Sequence, residues 1–561
     1  MNKKWHLWRW LALTSILFGI LLAIFQPTLN GSANPGDFQW QSILFRLFNF
    51  APLCFFAFAL LVFFMKFAQT IFSSLFTWRA LRWFLASLTA LMVLAVLFYI
   101  EEDWRGKRAW ENYKHELETK GEKFDFASFV PPPVPDDQNF ALTPVVASSY
   151  SHVMDKNGRR IQPENTNIVN RLTMNVYRTG VLTSTNMLMG SWRKCRLTDL
   201  RAWQNYYRVM FVTNDMMSEA PPFPGNPMPE NFDTNIYRNV VVALDTNEFP
   251  IAAQPQSPAN DVLFALSNFD SAIEELRQAS LLPFSRFPLN YTANSPTEIF
   301  FPHWAALKSC DSVLSLRAIA ELDDGQLDKA LADVRLMLYL ADSIRNEPSE
   351  YSFEEQMSLV NIAVQPIWEG LARRQWSADQ LTAIEKDLAR IDAVKDYGFA
   401  MRAGLAFNLK TLEYLRTEGR TNAITDWNDH TMWIPTVLFR LSPRGWFYLN
   451  ERATATVFEA ALPTTAEAEQ RILSPEISDR FGRAENVEGD WHRIPPNFWL
   501  AFVPPLPSQA MNSARVQAGV DMARIACALE RYRLTHDEYP QTLDALAPQF
   551  IESIPNDIIN G

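Results

Sequence analysis

The sequence predicts a mainly α-helical protein. N-terminal transmembrane helices lead into a bundle-like or solenoid-like extracytoplasmic domain with a small β element. Three observations predict this class. Long apolar runs fill the first hundred residues, and apolar positions recur at helical spacing from His303 to Arg416. The stretch Asn170–Asp199 instead alternates loosely between apolar and polar residues.

The apolar runs are Leu7–Phe25, Phe48–Phe67 and Phe84–Ile100. Each approaches the roughly 20 residues needed to cross a bilayer. Trp8, Trp10, Trp78 and Trp83 stand near their ends, where amphipathic rings anchor at the interface. Lys3, Lys4 and Arg9 precede or open the first run, Gln26–Gln41 has no Lys or Arg, and Lys66, Arg79 and Arg82 lie between the second and third. The positive-inside bias then puts the N-terminus in the cytoplasm and everything after Ile100 outside it. Arg105, Lys107 and Arg108 run against that bias, beside Glu101, Glu102 and Asp103. Gly31-Ser32-Ala33 would also suit cleavage of a leader, which leaves the orientation unchanged. The runs carry no acid and no His at membrane depth, so they read as anchors rather than an ion path.

Residues 101–140 read as a juxtamembrane helix, capped by Asp103 and stopped by Gly121, followed by a stiff spacer at Pro131–Pro135. Asp136-Asp137 read as a solvated turn rather than a metal site. Residues 141–255 read as a small α+β region. Strands are expected within Asn170–Asp199 and at Tyr237–Asp245, and Thr198 as the N-cap of a helix carrying Leu200, Trp203, Tyr206 and Tyr207. That aromatic cluster reads as core. Five prolines keep Ala220–Phe232 irregular.

Residues 256–462 read as the helical domain. Leu307, Leu314, Ala318 and Leu322 make one stripe, and Asp323–Gly325 turns the chain. Leu327, Ala330, Leu331, Val334, Leu338 and Ala341 make the next, closed by Pro348. A third helix is expected near Phe353–Arg374. A fourth opens on a capping box of Ser377 and Gln380, and a fifth runs near Lys395–Arg416. Short turns between such helices imply a bundle or solenoid. Residues 463–508 read as a surface linker, with the apolar Phe498–Val503 near its end as a buried link. Residues 509–561 read as a helix–turn–helix with Met522, Ile525, Leu529 and Tyr532 as its packing stripe, stopped before Pro540. A chain of this rhythm is expected to continue into a sheet, which makes the segment look truncated.

Composition narrows the function. A formal charge of -11 leaves no basic surplus for phosphates, so nucleic acid is not an expected partner. The expected partners are the lipid bilayer and other envelope proteins. Four cysteines without a C-x-x-C pair exclude a disulfide framework and a zinc knuckle; they read as buried free thiols, with one bridge left open. No phosphate loop, nucleophile elbow or H-E-x-x-H helix occurs, so no cofactor or metal is expected. The weak catalytic candidates are His430 with Asp429, in "DWNDHTMW", and His303.

"DDGQLDKALADVRLMLYLA" resembles the middle of a tetratricopeptide repeat, although Arg317 and Ala318 stand where that family has Leu and Gly and no second copy follows. "WRGKRAWENYKHELETKGEKFDFASFVPPPVPDDQNFA", "GSWRKCRLTDLRAWQNYY", "SPANDVLFALSNFDSAIEELRQASLLPFSRFPLNY", "LRAIAELDDGQLDKALADVRLML" and "ALERYRLTHDEYPQTLDALAP" together resemble an uncharacterised family of membrane-anchored bacterial envelope proteins. That resemblance implies no established activity and no catalytic residues, and members usually begin with one anchor. The last stretch is also similar, over about 25 residues, to type II secretion pseudopilins. Their Gly-Phe-Thr-x-x-Glu peptidase site is absent here. These features together predict a multi-pass bacterial inner-membrane protein with a large periplasmic domain, acting in interaction or scaffolding rather than as an enzyme. The alternatives are a membrane-tethered hydrolase with an unrecognised site, and an accessory of a secretion or pilus-type assembly.

Overall fold

The computed structural model describes residues 78–149, 171, 172, 174–177, 189–208, 248–291, 299, 301–417, 442–488, 497, 499, 500, 503 and 506–561. The first two apolar runs, Tyr237–Asp245 and Ala220–Phe232 lie outside them. The described residues are mainly helical. Glu102–Gly561 forms one compact unit, separate from the residues before it.

The third apolar run is helical. It belongs to α1, Trp78–Thr119, which contains a segment long and apolar enough to cross a membrane. That segment is the only one of its kind among the described residues. Its side chains have no protein cover: Trp83 is 75% exposed, Leu91 66% and Leu94 64%. A large apolar surface of this kind is stable only against lipid or another apolar partner. Further along α1, Trp110 and Leu117 are buried at i, i+7 spacing, and Gly121, at φ 92°, ends the helix.

Asp103 does not cap a helix. It lies inside α1, where its Oδ1 accepts from the Gly445 N–H at 2.7 Å. The neighbouring Glu102 carboxylate accepts from Trp446 Nε1 at 2.9 Å and from Arg105. Gly445 and Trp446, more than 340 residues away in sequence, open α10 (Arg444–Ala461). The two backbones nearly touch there. A Cβ on Gly445 would sit 1.9 Å from the Glu102 carbonyl oxygen, and one on Gly106 would sit 2.1 Å from the Gly445 oxygen. Only glycine allows this approach.

The proline spacer is extended, as expected, but it is not free. Arg286 Nε donates to the Pro131 carbonyl at 3.0 Å, and Phe126 and Phe140 on either side are buried. Asp136 and Asp137 are exposed in a short 3-10 turn.

Among the described residues no strand forms; residues 178–188 and Tyr237–Asp245, which hold most of the expected β element, lie outside them. Its described part holds only an isolated bridge between Ser191 and Arg196, around a 3-10 turn at Trp192–Lys194. The Trp192 N–H donates to the Gln365 side chain at 2.6 Å, which ties the turn to α7. Helix α2 (Leu200–Arg208) follows. Its cap is Asp199, whose Oδ1 accepts from Ala202 N, and not Thr198. Trp203 and Tyr207 are fully buried and stacked at 5.6 Å, so the aromatic cluster is core.

The remaining helices are α3 (Pro258–Leu266), α4 (Asp270–Ala279), α5 (His303–Asp323), α6 (Leu327–Ser343), α7 (Glu350–Ala372), α8 (Ala378–Leu388), α9 (Ala393–Thr417), α11 (Glu476–Glu488) and α12 (Leu506–His536). Gly325, at φ 78°, turns α5 back along α6. Ser377 and Gln380 form the expected reciprocal capping box of α8. α7 is central, packing on α5, α6, α9 and α12. It is apolar enough on several sides to do so: Phe353, Leu359, Val360, Ala363 and Ile367 are all buried.

The described part of the expected linker up to Glu488 is instead packed structure. Thr464 and Glu467 form a second capping box, and α11 buries Ile477 and Phe481 at i, i+4 spacing against α10. Two apolar anchors suffice to dock an otherwise polar helix. α12 packs on α7, α8 and α9 through Val520, Ala523 and Cys527. Its Gln517 Oε1 accepts from Ala393 N at 2.9 Å and so caps α9. Met522, expected in the packing stripe, is instead exposed, while Ile525, Leu529 and Tyr532 pack on Leu546, Phe550 and Ile551. The described cysteines are unpaired. Cys310 and Cys527 are buried, but Cys195 is exposed, because its turn sits at the surface.

Candidate functional site

His303, the one catalytic candidate among the described residues, opens α5 and is sealed from solvent. Its ring stacks on Phe287 at 3.8 Å, and Nε2 pairs with Glu347 Oε1 at 2.7 Å. The other Glu347 oxygen accepts from Ser352 Oγ at 2.7 Å and Trp304 Nε1 at 3.2 Å. The residue types resemble a hydrolytic triad, but the order is wrong. The hydroxyl donates to the acid and not to the imidazole, so nothing draws its proton toward a base. The buried Nδ1 has no partner. This cluster joins α5 to the start of α7 and offers no path for a substrate. His430 and Asp429 lie outside the described residues. Among the described residues, no group of three or more His, Cys, Asp or Glu side chains could hold a metal ion.

Asp311, also on α5, is fully buried, and neither carboxylate oxygen has a partner. Burial, then the nearby Glu355 charge, pushes its acid well above the usual carboxylate range, which favours the protonated form. It lines neither cavity described below. Asp333 is the contrasting case. It is buried between Arg277 at 2.5 Å and Arg317 at 3.1 Å, and Arg317 also reaches Asp270 and Glu321. This network ties α4, α5 and α6 together. Arg317, the residue that breaks the tetratricopeptide spacing, is its hub.

The most accessible chemistry lies in a groove of about 350 Å³ between α4, α6, α7 and the end of α8. Ala332, Arg335, Leu336, Tyr339 and Asp342 recur at i, i+3, i+4, i+7 and i+10, so one face of α6 forms its wall. Buried Gln356 and Val360 of α7 lie beneath, and Leu281, just past α4, stands at the edge 77% exposed. Four arginines line it: Arg277, Arg335, Arg345 and Arg390. Arg345 pairs with Asp396 at 2.8 Å, and Arg335 Nε donates to Asp387 at 2.7 Å. Burial raises the Asp396 carboxyl, with Arg345 opposing the shift. Arg390 is looser: its only acid neighbour, Asp342, is 3.9 Å away. Tyr339 is pushed up to about 12, mainly by burial and secondarily by Asp342, so its hydroxyl stays protonated.

A second cavity, of about 370 Å³, lies between α5 and α7 and is lined in part by Ser315, Asn361, Gln365 and Trp192. Its polar groups are mostly engaged in holding the Trp192 turn.

Sequence reasoning sought histidines and acids and missed the arginines. A signal was present. Arg335, Tyr339 and Asp342 share a face of α6 beside its apolar stripe, an aromatic among charges where a solvated face needs none.

Comparison with family models, with curated proteins and with solved structures finds no match for this chain.

Proposed function

We propose that the chain is a membrane-anchored interaction protein of the bacterial envelope. Its helical domain would hold a protein partner in the groove between α4, α6, α7 and α8. The groove carries the proposal: half-buried Tyr339 stands with Arg335 and Arg390, residue types that anchor protein interfaces, and exposed Leu281 lies at the edge. The uncovered apolar segment of α1 supports a membrane anchor, and the basic residues before it support a periplasmic placement of the domain. Further spans before α1, and the likeness to the membrane-anchored envelope family, belong to the same proposal. The sealed geometry of His303 weighs against the hydrolase alternative.

A photoactivatable residue at Leu281, expressed in the full chain in its own membrane, tests this. A discrete protein adduct from position 281, absent from the exposed control position Glu552, is expected. Equal labelling from both positions would remove the groove from consideration.

A further inference from the structure

We propose that the second cavity, separate from the groove, binds a small organic monocarboxylate. The carboxylate would lie among Arg193, Asn361 and Ser315, with the apolar body of the ligand against the rest of the wall. Ser315 is the decisive residue. It lines the cavity from α5, is fully buried, and its Oγ has no partner. A hydroxyl left unpaired in the interior is destabilising, and a bond to the preceding turn would avoid it. Ser312, also in the lining, does so by donating to the Lys308 carbonyl at 2.9 Å. Ser315 does not.

Helices α5 and α7 run side by side in the same direction, because Lys308 meets Glu355 and Asp323 meets Arg373. Ser315 therefore falls level with the turn of α7 that begins at Asn361. The polar groups there divide into acceptors already used and donors still free. The Gln365 oxygen accepts from the Trp192 N–H, and the Asn361 oxygen accepts from Arg193 Nη2 at 2.9 Å. The second bond fixes which end of the Asn361 amide faces the arginine, and Nδ2 is left donating to no protein group. Arg193 makes that one hydrogen bond, to a neutral amide, and lies over the Trp192 ring at 5.3 Å. It pairs with no acid, and among the described residues no Asp or Glu lines the cavity. Support of the Trp192 turn accounts for Gln365 and for one N–H of Arg193. It does not account for Ser315 or for the free Asn361 Nδ2.

A lining of free donors and one unmatched positive charge fits a ligand that accepts hydrogen bonds and carries one negative charge. Val176, Met189 and Ile362 form the apolar part of the wall. Water alone fills such a space poorly, because an ordered water needs about two to four polar partners and these side chains supply none. An inorganic anion would leave the same wall facing water. At about 370 Å³ the cavity is at the small end of ligand sites, which suits an acid of a few carbons rather than a peptide.

Calorimetric titration of the full chain in detergent tests this with butyrate, hexanoate and benzoate, the amide of each, and inorganic phosphate. At least one acid should bind saturably and about tenfold or more tighter than its own amide, the yield of one charge-assisted pair. Phosphate should bind more weakly than that acid. Arg193→Gln should bring the acid down to the affinity of the amide, with the amide and the unfolding midpoint unchanged. Ser315→Ala should weaken the acid several-fold while folding stability holds or rises, since an unpaired buried hydroxyl is removed. An acid that binds Ser315→Ala as well as it binds the wild type would sit at Arg193 outside the cavity and would overturn the assignment. So would equal affinity within every acid–amide pair, a preference for acid that survives Arg193→Gln, tighter binding of phosphate, or no saturable binding of any acid at millimolar concentration. The groove stands or falls separately, on crosslinking from position 281.

Discussion

Glu350 offers a measurement whose size follows from the structure. It opens α7, just after the cap Ser349, and is fully enclosed, with Oε2 lacking any partner. Space for the carboxyl exists because position 404 on α9 is glycine: a Cβ there would lie 2.5 Å from Glu350 Oε2. Burial raises this acid from its ordinary 4.5 to about 7, against smaller opposing hydrogen bonds from its own backbone and Asn408. The folded state therefore holds the proton more tightly than the unfolded chain. Its stabilising effect is complete below the ordinary carboxylate range and is lost as pH rises through about 7. At 1.36 kcal/mol per unit, the loss from about pH 5 to about pH 8 is roughly 2–3 kcal/mol. Glu350→Gln keeps the shape and cannot ionise. Chemical unfolding of both proteins across that range, followed by tryptophan fluorescence, should show the variant gaining on the wild type by about that amount as pH rises. Parallel stability curves would refute the buried-proton account.

Other substitutions test the packing. Asp333→Asn leaves Arg277 and Arg317 facing a neutral group in the interior and should cost about 3–5 kcal/mol by chemical denaturation; a loss below about 1 kcal/mol would make the network peripheral. Gly445→Ala forces a methyl into the Glu102 backbone, so about 1–3 kcal/mol of strain and faster proteolysis near Trp446 are expected. An unchanged digestion pattern would dispute the close crossing. His303→Gln should lower stability by about 1–3 kcal/mol while leaving crosslinking from position 281 intact. Loss of crosslinking in a folded variant would give His303 a role beyond support.

Local signals made much of the helical domain legible. The turn at Gly325 and the capping box at Ser377 each depend on residues within a few positions of one another, so reading the chain in order finds them. The stripes of α5 and α6 are legible because Leu307, Leu314, Ala318 and Leu322 of the one and Ala330, Val334, Leu338 and Ala341 of the other are all buried, although burial reaches further round each helix than its stripe. What failed depends on distant partners. Asp103 looks like a cap in its own neighbourhood, but its hydrogen bond goes to Gly445. Thr198 looks like a cap too, but both its N–H and its hydroxyl serve Glu369. The groove was hidden for a related reason. Its arginines come from α4, α6 and the segments after α6 and α8, and only the packing of these elements gathers them into one lining.

The most direct measurement compares the adduct yield from a photoactivatable residue at position 281 in two otherwise identical full-length chains in the native membrane. One keeps Arg335 and Arg390; the other carries Arg335→Gln and Arg390→Gln. If the groove holds a partner through its arginines, the adduct forms in the first and falls by about tenfold in the second, with equal amounts of folded protein. The same adduct at the same yield in both chains would contradict that role for the groove.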